Sequence, residues 1–121
     1  MKFLGLISLA LLAATANARC YGDNDSKKIT DQEEAYAAAS DACTEFKGNY
    51  GRYQAKQKCV AGADGSKYSF IVARLKNGNR TIEQDECFDG LRKEIHGCER
   101  GGYSRYKNWS YDVRYKIPFG C

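Results

Sequence analysis

The sequence predicts a two-layer α+β sandwich, in which two helices cover one face of an antiparallel sheet and three disulfides reinforce the core. Two segments repeat apolar residues at helical spacings, three segments alternate apolar and polar residues with the period of a strand, and six cysteines lie beyond residue 18. The predicted element order is α-β-β-α-β. A short leading strand around Cys20 and Tyr21 would extend this order to the split β-α-β-β-α-β plait.

The first 18 residues have the features of a secretory signal peptide. Lys2 provides a positive charge, residues 3–14 are almost wholly apolar, and Ala-Asn-Ala at residues 16–18 fits a small-residue cleavage site. The apolar run is shorter than the ~20 residues that span a bilayer. We therefore expect a secreted, extracellular protein whose mature part, residues 19–121, forms a single disulfide-stabilised domain.

Cysteine usage and charge describe the environment of that domain. An even set of cysteines in a short exported chain predicts three disulfides, and the spacing leaves their pairing open. The six are Cys20, Cys43, Cys59, Cys87, Cys98 and Cys121. The formal charge of +4 falls to +3 when Lys2 leaves with the signal peptide, and acidic and basic residues remain mixed. This slight excess favours a soluble monomer over a stable complex with nucleic acid.

Both helices are predicted from a start signal, an apolar stripe and a stop signal. Thr-Asp-Gln-Glu at residues 30–33 fits a capping box with Thr30 as the cap, and Gly48 marks the stop. Thr-Ile-Glu-Gln at residues 81–84 repeats the signal before a second helix that ends near Gly97. The stripes are Tyr36, Ala39, Cys43 and Phe46 in the first helix, and Cys87, Phe88, Leu91, Ile95 and Cys98 in the second.

The strands are predicted from alternation with a period of two. The pattern begins near Tyr50 and continues to Cys59, a turn follows at residues 61–65, and a second strand over residues 67–75 completes a hairpin. Residues 109–117 alternate most clearly, and Pro118 ends that strand. Gly101 and Gly102 predict a loop before it.

The best candidate for a binding segment lies in this loop. It combines aromatic rings with cations, which can stack on sugars or bases and hold anionic groups. The candidates are Tyr103, Arg105, Tyr106 and Lys107. They precede the regular alternation, so we expect them to be exposed, whereas Trp109, Tyr111 and Tyr115 are better explained as core residues. The basic face of Arg52, Lys56 and Lys58 would extend the surface if its strand neighboured the last one.

A catalytic alternative is a small secreted ribonuclease-like hydrolase. It would use His96, the only histidine, with a nearby Glu and Arg as acid, base and phosphate-binding cation. The candidates are His96, Glu94, Glu99 and Arg100. Neighbours on a helix often point apart, and a histidine near a helix C-terminus is favoured by the helix dipole alone. One histidine and oxidised cysteines leave few metal ligands. We therefore expect a non-catalytic protein without metal or cofactor.

Three sequons could carry N-linked glycans in the secretory route. They begin at Asn24, Asn79 and Asn108. Asn79 lies in the turn before the second helix, where an acceptor is plausible. Asn108 would be blocked if the last strand folds tightly around it.

Several short motifs in the second half of the chain resemble those of a known group of secreted proteins. They are C-F-D-G-L at residues 87–91, H-G-C at residues 96–98, Gly101-Gly102, the strand over residues 109–115 and a final Gly-Cys. In outline they resemble the virally encoded killer toxins of smut fungi and the killer-toxin-like effectors of plant pathogens. The resemblance implies a compact α/β sandwich held by disulfides. It also implies a cysteine-rich virulence effector or toxin-like protein of a filamentous fungus. Its target, in a host or competitor, would be a protein, a glycan or a membrane component.

Overall fold

Seven strands and two helices make up the described part of the chain, which in the computed structural model comprises residues 18–116 and residue 121. In chain order these are β1 (Arg19–Cys20), α1 (Gln32–Phe46), β2 (Gly48–Tyr50), β3 (Ala55–Ala61), β4 (Lys67–Arg74), β5 (Arg80–Ile82), α2 (Gln84–Gly97), β6 (Gly102–Tyr106) and β7 (Trp109–Lys116). Residues 1–17 of the predicted signal peptide lie outside the described residues. The predicted end of the last strand, residues 117 and 118, also lies outside them.

Five of the strands form one antiparallel sheet, in the order β1-β6-β7-β4-β3. β4 and β7 pair along their whole length, from Lys67 opposite Lys116 to Arg74 opposite Trp109. This register brings the largest side chains of the two strands, such as Phe70 of β4 and its partner Val113 of β7, onto one face. β2 and β5 form a separate two-stranded sheet.

Both helices pack on that apolar face, which confirms the predicted α+β sandwich. The phenol of Tyr68 in β4 donates a 2.7 Å hydrogen bond to Glu34 of α1, and Gly90 of α2 lies against the ring of Tyr111 in β7. The buried core is formed from the predicted stripes and strand faces, including Trp109. Its largest members are Phe46, Tyr50, Tyr68, Phe70, Val72, Ile82, Leu91, Ile95, Trp109, Tyr111 and Val113.

Three strands, β2, β5 and β6, were not predicted. β6 occupies part of the stretch predicted as a loop, because its sequence lacks apolar alternation and its order comes from backbone pairing with β7 and β1. The short leading strand is present as β1, but the plait inferred from it is wrong. β6 lies between β1 and β7, so the leading strand is confined to the sheet edge.

The helix starts differ from the predicted capping boxes. α1 is capped one residue later than expected, by Asp31, whose side chain accepts a 3.0 Å hydrogen bond from the backbone N–H of Glu34. Aspartate is a better N-cap residue than threonine, which favours Asp31 over its neighbour Thr30. Thr81 belongs to β5, and α2 begins after Glu83 without a side-chain cap.

Three disulfides join separate parts of the fold and use all six cysteines. The pairs are Cys20 with Cys98, Cys43 with Cys87, and Cys59 with Cys121. The first ties β1 to the end of α2, the second joins the two helices in the core, and the third holds the last residue of the chain on β3. The cysteines therefore connect layers that already share a core.

Candidate functional site

The turn between β6 and β7 carries an exposed aromatic ring surrounded by cations. Tyr106 is paired with Trp109 across a two-residue turn, yet 45 % of Tyr106 is exposed. The Lys93 ammonium, from α2, lies 3.5 Å from the centroid of this ring, and the Lys107 ammonium lies 5.3 Å from it. Arg105 precedes the ring and is also exposed. We call these four residues, Lys93, Arg105, Tyr106 and Lys107, the Tyr106 cluster.

The backbone of Lys107 adopts a conformation that favours glycine. Its φ is +57°, in the left-handed region, at the first position of the two-residue turn. Glycine is the usual residue at a hairpin position that needs a positive φ, and another residue there costs on the order of 1 kcal/mol or more. A charged side chain is thus held at a strained position beside the exposed ring.

A cleft next to the Tyr106 cluster separates α2 from β6. Its volume is about 720 Å³, within the range of small-molecule sites. Its walls comprise the Tyr106 cluster, the Cys20–Cys98 disulfide and part of α2. Ala18, the last residue of the predicted signal peptide, lines it as well.

The floor of the cleft contains a buried acid. Only 4 % of Glu94 is exposed, and its Oε2 accepts a short hydrogen bond from the hydroxyl of Ser104 in β6. Burial raises the pKa of the Glu94 carboxyl, and the negative charge of Asp112 adds to the rise, while the Ser104 hydrogen bond and the charge of Lys93 oppose it. A buried carboxyl with a raised pKa in a cleft is typical of functional sites, although structural networks also produce one.

Glu94→Gln tests whether this acid costs stability. Because the pKa of Glu94 is raised in the folded protein, its contribution to stability is fully present below pH 4.5 and is lost as the pH rises through the folded value. Glutamine keeps an acceptor for Ser104 without the charge. We expect the melting temperature of the variant, measured by circular dichroism, to exceed that of the wild type at pH 7 and to approach it at pH 4. An equal difference at both values would contradict this cause.

The predicted binding residues fall into separate places. Tyr103 is half-buried and pairs with Asp112 of β7. By the alternation of β6, Tyr103 and Arg105 lie on the face opposite Ser104 and Tyr106, but Arg105, next to the turn, is exposed and lines the cleft. Lys58 forms a 2.6 Å ion pair with Glu45 of α1, and Lys56 lies 4.4 Å from the ring centroid of Tyr50. Both lysines therefore face the helix layer.

The basic face therefore does not extend the Tyr106 cluster. The extension required the strand that carries this basic face to neighbour the last strand. Instead, β4 lies between β3 and β7, and both β4 and β7 separate β3 from β6. Arg52 lies in the turn before β3, exposed, with its guanidinium 5.2 Å from the ring centroid of Tyr53. The sequence could not give this arrangement, because it does not fix which strands are neighbours.

The residues of the catalytic alternative have different surroundings. Glu94 is in the cleft, whereas Glu99 forms a 3.5 Å ion pair with Lys28. Arg100 donates a 2.9 Å hydrogen bond to the carbonyl of Ser26. His96 is exposed in the last turn of α2. These contacts give no acid, base and cation around one point.

The three sequon asparagines differ in exposure. Asn24 and Asn79 are exposed, the first in a turn after β1 and the second just before β5. Asn108 is partly exposed in the turn between β6 and β7, and its carbonyl accepts hydrogen bonds from Arg74 and Leu75. Occupancy of all three sites stays a prediction.

Two residues of the site were missed as binding candidates, Lys93 and Ser104. Lys93 lies nine residues before Gly102 in sequence and meets Tyr106 only because α2 packs beside β6. Ser104 faces α2 because it alternates with Tyr103 and Arg105 in β6, a signal visible once β6 is recognised as a strand. Among residues 18–116 and 121, no group of three or more histidine, cysteine or acidic side chains is arranged to hold a metal ion.

Comparison with known proteins gives no match to any family model and no match to a curated protein. Within the described residues, no helix is long and apolar enough to cross a membrane. Function is therefore inferred from the residues and geometry of this chain.

Proposed function

We propose that this is a secreted effector or toxin-like protein of a filamentous fungus, which acts by binding a target in a host or competitor. The Tyr106 cluster is the contact surface. The target is a protein, a glycan or a membrane component, and the protein binds it as a monomer without catalysis. The observation that carries the proposal is the exposed Tyr106 ring, with the ammonium groups of Lys93 and Lys107 lying 3.5 Å and 5.3 Å from its centroid.

The disulfides support a site of action outside the cell. Three disulfides occur in a chain of 121 residues, and disulfides persist mainly in oxidising compartments such as the secretory route and the extracellular space. Each also restricts the unfolded chain, which favours survival among extracellular proteases. A durable extracellular scaffold fits a protein that must reach its target intact.

The chemistry of the cluster supports binding. An aromatic ring with nearby cations offers an apolar face together with charges for an anionic group, and tyrosine and arginine are enriched among residues that dominate binding energy. The strained backbone of Lys107 is a second support, since strain is retained most often at functional sites. A role confined to stability would favour glycine at this position.

The ribonuclease-like hydrolase remains the competing class, and no contact specifically favours it. It predicts that the purified, oxidised protein degrades RNA and that His96→Ala abolishes this activity. RNA hydrolysis lost in that variant would replace the binding proposal with the catalytic one.

Two variants test the binding surface. We expect Tyr106→Ala to weaken target binding by about 2 kcal/mol, roughly thirtyfold in Kd, because a central tyrosine is a typical hot spot. We expect Lys107→Gly to weaken binding as well, while its free energy of unfolding stays the same or rises, because glycine adopts a positive φ without strain. Binding is measured as retention of glycans on an array and of components from host extracts, followed by titration of the retained ligand.

Lys67→Ala is the matched control. Lys67 pairs with Lys116, seven residues along β7 from Trp109, so it lies roughly 23 Å from the Tyr106 cluster at the strand rise. Binding should be unaffected in this variant. Equal retention by wild type, Tyr106→Ala and Lys107→Gly would contradict the proposed surface.

A further inference from the structure

The cleft between α2 and β6 is lined by Glu94, a buried acid. Its Oε2 accepts a hydrogen bond from the Ser104 hydroxyl. Among residues 18–116 and 121, the buried side-chain polar atoms without a partner are Oε1 of Gln84 and Nε1 of Trp109, so Oε1 of Glu94 is not one of them. A carboxyl group has more acceptor positions than one hydroxyl fills, so a ligand hydroxyl can also bond to Glu94 in the cleft.

The backbone next to this carboxyl group keeps the floor open. A Cβ at Gly102 would lie 3.1 Å from Oε1 of Glu94 and 2.9 Å from Sγ of Cys98. Any side chain at residue 102 would therefore crowd the acid. With glycine there, Glu94 lines the cleft, where its carboxyl can accept a hydrogen bond from a hydroxyl of a ligand.

The rim of the same cleft has the opposite character. Lys93, Arg105 and Lys107 provide three cations there, and Tyr106 provides an exposed ring. A ligand that matches both levels carries hydroxyl groups at its inner end, a ring that can pack on tyrosine and an anionic group near the rim. An acidic sugar has all three features, and carbohydrates commonly pack a ring face on an aromatic side chain.

The charges beyond Tyr106 are mixed. The neighbouring cleft, which Tyr106 also lines, contains the carboxylates of Glu86 and Asp89 and the cations of Arg92, Lys93 and Lys107. A strand with a phosphate on every unit would meet both carboxylates there as well as the cations. A single acidic unit at the end of a glycan needs only the cations at the rim of the first cleft, so it is the ligand class that we test, with a dinucleotide as the competitor.

We propose that the cleft binds the terminal acidic sugar of a glycan, with its hydroxyls on Glu94, its ring on Tyr106 and its carboxylate near Lys93, Arg105 and Lys107. This inference rests on the proposed function, since it names the ligand of the same surface. In this proposal the buried acid binds the hydroxyls of the sugar, and the cations bind its carboxylate. The two contacts can therefore be tested separately.

The test compares two disaccharides that differ only in charge. Cellobiouronic acid has a terminal glucuronate where cellobiose has glucose, and both are titrated into the oxidised protein by NMR. We expect the acid to bind about tenfold more tightly, since one charge-assisted contact contributes that much. Arg105→Ala and Lys107→Gly should remove this preference. Glu94→Met, which keeps size but removes hydrogen bonding, should weaken both sugars about tenfold and leave their ratio unchanged.

The outcomes separate this inference from the proposed function. Lys67→Ala should match the wild type with both sugars. Equal affinity for the two sugars, or no binding of either, overturns the acidic-sugar assignment even if Tyr106→Ala still abolishes capture of a target. Tighter binding of the dinucleotide UpU than of cellobiouronic acid through the same residues overturns it too. The binding surface itself is rejected only if the Tyr106 and Lys107 variants leave target retention intact.

Discussion

Replacing Cys43 and Cys87 together by alanine is expected to lower the free energy of unfolding by about 4 kcal/mol. The loop-closure relation gives this value for a disulfide that spans 44 residues. Both cysteines are fully buried between α1 and α2, so the change also removes packed sulfur atoms from the core. Small domains are stable by about 5–15 kcal/mol, so this variant should be close to unfolding at 37 °C.

Urea denaturation followed by the fluorescence of Trp109, the only tryptophan and a buried one, measures this loss. The matched control is Cys20→Ala with Cys98→Ala. The same relation gives about 4.5 kcal/mol for its 78-residue separation. We expect only about 2 kcal/mol there, because β1 has two residues at the sheet edge and can detach locally. A larger loss in the control would show that chain entropy outweighs burial.

Gly90→Ala is expected to destabilise the protein by about 3 kcal/mol, against the usual preference for alanine in helices. Gly90 lies inside α2 where the helix meets β7, and a Cβ there would overlap ring carbons of Tyr111. That ring is buried and its hydroxyl lies 3.5 Å from the carbonyl of Glu86, so it has little room to move. The helix would have to shift away from the sheet.

Gly97→Ala provides the control of opposite character. Gly97 is the last residue of α2, and nothing lies within 4 Å of a Cβ built there. The free energy of unfolding of the Gly97→Ala protein should therefore differ from that of the wild type by less than about 0.5 kcal/mol. Both variants are compared by thermal unfolding under the same conditions. Similar small changes at the two positions would mean that the contact between Gly90 and Tyr111 adapts at little cost.

Part of the candidate site could be predicted from the sequence. Arg105, Tyr106 and Lys107 were expected to be exposed because they precede the clear alternation of the last strand, and this is confirmed. Tyr103 is predicted to belong to the same exposed group but is half-buried, because it lies inside β6 opposite Asp112 of β7, whereas Arg105 lies next to the turn. The pattern of residues 101–108 lacks the apolar alternation that would have identified this strand.

Other parts of the site depend on contacts distant in sequence. Lys93 and Glu94 reach the Tyr106 turn only through the packing of α2 on β6. Lys56 and Lys58 appeared as a solvated face, yet they cover the helix side of an edge strand. Long lysine side chains can cover apolar surface while their ammonium groups reach an acid or an aromatic ring. Alternation alone therefore gives two faces without saying which one is covered.

By itself, the sequence determined the α+β class, both helices, the strands β3, β4 and β7, and the involvement of every cysteine in a disulfide framework. These follow from local periodicity and composition, which act over a few residues or over the whole chain. Only the tertiary structure decided the strand order, the cysteine pairing and the union of Lys93, Glu94 and Tyr106 at one cleft. Those features depend on which surfaces pack together. The packing is set by the burial of apolar surface and by backbone hydrogen bonds between segments that are distant in sequence.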